Sequence, residues 1–294
     1  MSALRIGTRG SKLALIQADF VANLLRSAHP GLLVDRIIIS TEGDRDQTSS
    51  LASGSNVGWF TSALQGALQR GEIDIAVHSY KDLPTKRPDG LVIAAVPSRE
   101  DPRDAWVSRG NLSLAALPAG AVVGSSSVRR VAQLSVPRPD LDYRPIRGNV
   151  DTRLAQVEAG AFEATVLALA GLKRLGLEGR VSHVFGPEEM LPAPAQGALA
   201  VECRIDDLVA RPALGSIHDA EIGACVEAER SFLAALEGGC ASPSAAHCIL
   251  EDGRLHLTAL IADDRGLRRT RRSGTPEEAA EMGRDAAREL LTAI

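Results

Sequence analysis

Short apolar runs alternate along the chain with stretches of helical period, which predicts strands and helices in turn. Leu4–Thr8 reads as a strand. Ser11 reads as the cap of a helix with apolar positions at Leu15, Ala18, Ala22 and Leu25. Val34–Ser40, with Ile37, Ile38 and Ile39 in succession, has the near-continuous apolar character of a buried parallel strand. The polar, Gly/Ser-rich Thr41–Gly58 predicts a mobile loop, and Phe60–Arg70 a helix. Ile73–Val77 and Leu91–Val96 read as further strands.

Pro97–Asp104 is charged, holds two prolines and reads as a crossing between domains. The alternation then resumes, with strands at Val122–Gly124, Leu141–Ile146 and Ala164–Leu169 and helices at Ser127–Leu134 and Val150–Ala159. Met190–Gly197 reads as a second Pro-rich crossing, and Ala198–Glu202 as a strand returning to the first unit. A helix at Ala220–Leu236, a hairpin over Ile249–Ala262 turning near Asp252-Gly253, and a closing helix at Pro276–Leu291 complete the chain. The expected class is α/β: two α/β units with the same order of elements, plus a small C-terminal α+β domain. The expected limits are 1–97 with 198–216, then 103–191, then 220–294. The two crossings would let the first two units hinge around a cleft.

Composition changes this picture little. At 45% hydrophobic and 24% charged residues, the 294-residue chain has room for two or three globular domains and excludes a disordered tail. No apolar run is long enough to span a membrane. Met1–Gly7 lacks the charged-then-apolar order of a secretion signal, which points to the cytoplasm. A net charge of −4 gives no general attraction to nucleic acid or anionic membrane. Lys12, Lys81, Lys86 and Lys173 are the only lysines among 33 basic residues. Most of that bias fits a GC-rich genome, and position decides which arginines act as carboxylate or phosphate clamps. Cys203, Cys225, Cys240 and Cys248 have neither zinc-site nor disulfide-framework spacing, so no metal is expected. Cys240, in Glu237-Gly238-Gly239-Cys240-Ala241-Ser242-Pro243, sits in a tight loop that would expose a reactive thiol. The other three read as small core residues.

Ligands of open parallel sheets bind beyond the carboxyl ends of the strands. Four such ends carry Arg or Lys beside Gly or Ser: Thr8–Ser11, His78–Pro84, Ser125–Arg130 and Arg147–Arg153. Each alone fits a solvated residue or a helix cap. Together they predict a cleft for a ligand with several anionic groups. Asp82, beside Lys81 and among arginines, is the carboxylate placed to stabilise a developing cation or move a proton. A turn-forming Asp before Leu83-Pro84 is the plainer reading. His78 reads as packed at its strand end. A non-catalytic anion-binding module on the same architecture is the competing class.

Several segments, in order over nearly the whole chain, resemble the porphobilinogen deaminase family. They are Gly7–Ser11, Val77–Pro84, Arg99–Ala105, Gly124–Arg130, Arg147–Asn149 with Thr152–Leu154, Ala170–Gly176, Gln196–Ala198 with Glu202–Arg204, and Leu236–Cys240. The resemblance implies two domains like those of periplasmic binding proteins and a third carrying the cofactor. That cofactor is a dipyrromethane joined by a thioether to Cys240. The implied reaction couples four porphobilinogen molecules head to tail, each losing ammonia to leave a cationic azafulvene. Asp82 would be the catalytic carboxylate. Lys81, Ser127, Arg129, Arg130 and Arg153 would hold the cofactor, and Arg9, Ser11, Gln17, Ser125, Arg147, Arg174 and Gln196 would face incoming substrate. A cytoplasmic monomer is implied. Relatives carry lysines in the loop before the second helix, whereas Leu51–Gly58 has none, with Ser53 and Val57 in their places.

Overall fold

The structure, a computed structural model, describes residues 3–40, 59–237 and 243–292. Thr41–Gly58 and the Cys240 loop, on which two expectations rest, lie outside the described residues. The chain divides into two compact units, Met1–Arg99 with Ala198–Gly223, and Glu100–Gly197 with Ala224–Ile294.

In the first unit, β1 (Leu4–Thr8) pairs in parallel with β2 (Val34–Ile38) and β3 (Ile75–Ser79). The last strand, β10 (Leu199–Arg204), runs antiparallel between β3 and β4 (Leu91–Ala95), completing the sheet order β2-β1-β3-β10-β4. The expected return of the chain after the second crossing is thus observed. One face is covered by α1 (Lys12–Ala28), which buries Val21 and Leu25 on Ile6, Ile75 and Val201. On the other lies α2 (Trp59–Gln69), with Leu64, Leu68 and Ile73 buried. Cover on both faces suits the central, apolar β3, whereas β2, expected to be buried, is an edge strand in which only Val34 is buried. A short helix, α6 (Ala210–Gly215), follows β10 and buries Leu214 in the same core as α1.

The second unit repeats that layout. β6 (Val122–Gly124) pairs in parallel with β7 (Asp142–Arg144) and β8 (Ala164–Ala168), and β5 (Asp104–Ser108) runs antiparallel between β8 and β9 (His183–Val184). The order is β7-β6-β8-β5-β9. In each sheet the strand reached straight from a crossing takes the fourth place and runs against its neighbours. Helices α3 (Val128–Leu134), α4 (Val150–Glu158) and α5 (Leu169–Leu175) follow β6, β7 and β8. Trp106 is fully buried against Val123, Leu134 and Phe185, its ring edge-on to Phe185.

The same unit holds an antiparallel three-stranded sheet, β11 (Ser244–Glu251), β12 (Arg254–Asp263) and β13 (Gly266–Gly274). Its core, around Phe232, Leu257, Ile261 and Ala286, is shared with α7 (Ala220–Glu237) and α8 (Ala279–Thr292). The expected hairpin turns at Asp252-Gly253, where both residues have positive φ.

Three strands escaped the sequence reading: β5, β13 and β9, whose two residues are too few to show a period. The charge of Pro97–Asp104 hides the start of β5, because Asp104 is a buried strand residue rather than linker. The run Arg268-Arg269-Thr270-Arg271-Arg272 hides β13. It is an edge strand, where charge is tolerated and discourages pairing with other chains. Arg269 and Arg271 both bond Glu188, at 2.7 and 2.8 Å.

Candidate active site

The ends of β1 and β3 carry the first unit's candidates. Ser11 caps α1, its hydroxyl accepting from the Ala14 N–H at 3.3 Å, and Arg9 is half-buried just before it. Gln17, on the buried face of α1, donates through Nε2 to Ser79 Oγ at 2.9 Å and so ties the helix to the end of β3. The chain then makes one tight helical turn, Tyr80–Asp82, closed by the Leu83 N–H on Tyr80 O at 3.2 Å and anchored by the buried Leu83. That turn leaves the Asp82 carboxylate exposed and Lys81 half-buried beside it. His78 is buried and lies 3.2 Å from Glu202 Oε2 on β10, while Gln65 of α2 donates to both Glu202 oxygens at 3.2 Å. This agrees with the reading of His78 as a packed residue.

In the second unit the three consecutive serines each have a distinct partner. Ser125 Oγ accepts from the Ser127 N–H at 3.2 Å, Ser127 Oγ caps α3 on the Arg130 N–H at 3.4 Å, and Ser126 bonds Ile146. Arg129 and Arg130 follow at once in α3, and both are buried. They converge on Asp104, whose side chain has no exposure. Arg129 Nη1 donates to Asp104 Oδ2 at 2.8 Å and to Leu191 O at 2.7 Å. Arg130 donates through Nε and Nη2 to Asp104 Oδ1, at 2.9 and 2.7 Å. Gln196, also fully buried, adds its Nε2 to Asp104 Oδ1 at 3.0 Å and to Pro102 O at 2.7 Å. Burial alone would raise the Asp104 carboxyl, but Arg129 and Arg130 outweigh it and hold the group well below the usual carboxylate range. The structure therefore gathers three expected ligand residues around a carboxylate that the sequence reading left in a linker.

Arg147 is exposed just after the end of β7. Gly148 follows with φ +96°, where a Cβ would come within 2.6 Å of Thr152, so the turn needs glycine. Asn149 caps α4 by accepting from the Thr152 N–H at 3.0 Å, and Arg153 Nε donates back to Gly148 O at 2.8 Å. Arg147 and Arg153 thus share one turn.

In the last turn of α5, Lys173 bonds Glu100 at 2.7 Å, while Arg174 donates to Gly197 O at 2.8 Å. Among the described residues, Arg174 forms no ion pair within 4.0 Å. Burial pushes its guanidinium below the ordinary arginine value, against the attraction of Glu100. Gly197 has φ +87°, and a Cβ there would lie 2.2 Å from Glu100 O. Ala195 also has positive φ, a strained choice for a residue with a Cβ. Its N–H is held at 2.6 Å by Glu229 Oε2, whose other oxygen accepts from the Cys248 N–H at 2.7 Å.

Sequence reading missed Asp104, Glu202, Glu229 and Ser126. A signal existed for Asp104, an acid opening the apolar run Ala105-Trp106-Val107 inside a segment already matched by resemblance. Glu202 carried a similar signal, closing the apolar run Ala198-Leu199-Ala200-Val201 in another matched segment, whereas Glu229 offered none, since a fully buried acid cannot be told from a surface one without its partners.

Comparison with known proteins agrees along the chain. Residues 4–211 match the family model described as "Porphobilinogen deaminase, dipyromethane cofactor binding domain", and residues 223–292 match "Porphobilinogen deaminase, C-terminal domain". The chain is 48% identical over 293 residues to the porphobilinogen deaminase of Sorangium cellulosum (strain So ce56), covering 98% of each. Among solved structures, it is similar to a putative periplasmic sulfonate-binding protein, SsuA, from Methylobacillus flagellatus KT. That match is 14% identical with a TM-score of 0.41, over 78% of this chain and 67% of that one. YhfZ from Shigella flexneri is 14% identical with a TM-score of 0.38, over 81% and 98%. Likenesses this faint add nothing to the sheet topology described above.

Proposed function

The chain belongs to the porphobilinogen deaminase family, and on that premise we propose which of its residues carry the reaction. The enzyme is a transferase of tetrapyrrole biosynthesis that polymerises porphobilinogen into hydroxymethylbilane and uses a dipyrromethane cofactor. Each pyrrole ring carries acetate and propionate, so substrate, cofactor and product are all polyanions. The donor set at the strand ends fits them. The observation that carries this reading is Arg174, a desolvated guanidinium with no ion pair among the described residues, which an incoming carboxylate would complete.

When bound, the dipyrromethane supplies the ring carbon to which the first substrate unit is joined. Lys81, Ser127, Arg129, Arg130 and Arg153 hold its carboxylates, and Cys240 is its attachment point. Asp104 keeps Arg129 and Arg130 in fixed orientation, so that little reorganisation is needed when an anion arrives. Arg9, Ser11, Gln17, Ser125, Arg147, Arg174 and Gln196 serve the incoming substrate. Gln196 does so through Asp104, on which its amide is already engaged. Asp82, exposed on a tight turn, stabilises the positive charge that develops as ammonia departs and shuttles the proton the coupling releases.

The three sheets support domains at 1–97 with 198–216, at 103–191 and at 220–294. No described helix is long and apolar enough to cross a membrane. The family resemblance supports a cytoplasmic monomer, and a net charge of −4, which gives no general attraction to nucleic acid or anionic membrane, supports the absence of such partners.

Denaturing intact-mass measurement tests the proposal. The purified protein should exceed its sequence mass by about two pyrrole units. Cys240→Ser should abolish that increment and the activity together, whereas Cys203→Ser, Cys225→Ser and Cys248→Ser should keep it. An increment that survives in Cys240→Ser would overturn the attachment point.

A further inference from the structure

Two of the basic turns in the second unit are tied to each other by one side chain. The parallel ladder between β6 and β7 ends at Gly124 opposite Arg144, with a last backbone bond from the Ser125 N–H to Arg144 O at 2.8 Å. Beyond it the backbones turn toward different helices, α3 and α4. Ser126 Oγ then takes over the pairing: it donates to Ile146 O at 2.7 Å and accepts from the Ile146 N–H at 3.1 Å. One hydroxyl so satisfies both backbone groups of Ile146, as a strand neighbour would. The contact beneath is close, since a Cβ at Gly124 would meet Ile146 at 2.9 Å, and Ile146 itself is fully buried. On one side of this stitch lie Ser127, Arg129 and Arg130. On the other lie Arg147, Gly148, Asn149 and Arg153.

We propose that Ser126 is a positioning residue that sets the spacing between these two basic turns, and with it the fit to a ligand carrying carboxylates at a fixed separation. It touches no ligand, because its donor and an acceptor position are engaged with Ile146. The inference rests on the reading that the arginines of both turns bind carboxylates. Without the hydroxyl, the Ile146–Asn149 turn keeps its cap, the ladder behind it and the bonds from α4, Arg153 Nε to Gly148 O at 2.8 Å and Gln156 Nε2 to Arg147 O at 3.1 Å, but it loses this side-chain tie to the Ser125–Arg130 turn. The two arginine sets then fluctuate independently, and binding must pay for ordering them.

The test uses the purified holoenzyme and compares Ser126→Ala, Ser126→Thr, Thr165→Val and Arg147→Leu. Thr165 lies close by and donates to Gly124 O at 2.8 Å, but it links neither turn to the other. Ser126→Ala should raise KM for porphobilinogen roughly 10-fold, the scale of one or two neutral hydrogen bonds, with kcat changed less than about 3-fold. In the absence of substrate, hydrogen exchange should speed up in peptides covering residues 145–150 and 125–134 together. Ser126→Thr should restore both readouts. Thr165→Val should lower the melting temperature and leave KM alone. The proposal is overturned if Ser126→Ala leaves exchange unchanged, if exchange rises with KM unmoved, or if Thr165→Val raises KM as much. If Arg147→Leu leaves KM unchanged, the carboxylate reading itself is wrong, whatever Ser126 does.

Discussion

Each five-stranded sheet buries one acid on the strand that runs against its neighbours. In the first unit it is Glu202 on β10, and in the second Asp104 on β5, both without exposure. Their neighbours differ. Glu202 is met by a carboxamide and a histidine, Gln65 and His78. Asp104 is met by two guanidiniums and a carboxamide, Arg129, Arg130 and Gln196. Guanidinium is never deprotonated in a protein, so Asp104 sits among permanent charges, whereas imidazole can be neutral. The same topological place therefore serves two ends. In the first unit the acid braces a sheet against a helix, and the nearby turn presents an anion, Asp82. In the second it anchors cations, and the strand ends present arginines.

The largest expected effect is at Asp104. Asp104→Asn keeps the shape but leaves two buried guanidiniums without their carboxylate, which should cost about 3–5 kcal/mol of stability. Thermal melting and denaturant titration measure that loss, and intact mass should show a smaller fraction of cofactor-loaded protein. Stability within about 1 kcal/mol of the parent would mean that the two acids are equivalent. Next comes Asp82→Asn, which should lower turnover by about 100-fold or more while melting temperature and mass increment stay unchanged. Near-normal kcat would remove Asp82 from the chemistry. Arg174→Leu and Arg147→Leu should then raise KM by roughly 10- to 100-fold, against no change for the exposed Arg284→Leu. A smaller loss, about 1–2 kcal/mol of stability with normal cofactor loading, is expected for Glu202→Gln, which swaps a carboxylate for an amide beside Gln65 and His78. Full cofactor loss in Glu202→Gln would erase the contrast between the units.

The smallest effect is in pH. The Asp104 carboxyl is held below its unfolded value of about 3.9, so its contribution is fully present above that value and fades as pH falls below it. Between pH 5 and pH 4 the loss is only about 0.3 kcal/mol, and it steepens toward about 1.4 kcal/mol per unit at lower pH. Urea titrations of the parent and Asp104→Asn across that range should converge as pH drops. Parallel curves would show that the carboxylate is not what holds the arginines.

Much of this was legible in the chain. The apolar runs place β1, β3, β6 and β8 within two residues, because a strand covered on both faces must be apolar at nearly every position. Ser11 and Ser127 were readable as caps, because a cap acts within three residues of itself. The clustering of Arg, Lys, Gly and Ser at strand ends was readable because strand ends and helix starts are local features. What was not legible is what Arg129 and Arg130 face. Their motif is local, but Asp104 lies 25 and 26 residues away, and Gln196 lies 92 residues beyond Asp104. Likewise nothing near Ser126 shows that it bonds Ile146, 20 residues on.

The sequence by itself determined the order of elements, the α/β class, the crossings and the set of chemically able residues, since each follows from periodicity or from contacts within a few positions. Only the tertiary structure decided which charges are buried and against what. Burial converts a carboxylate from a solvated surface group into the anchor of a guanidinium pair, as at Asp104. It depends on strand order and on the antiparallel insertion of β5, which bring distant segments together and exclude water from between them.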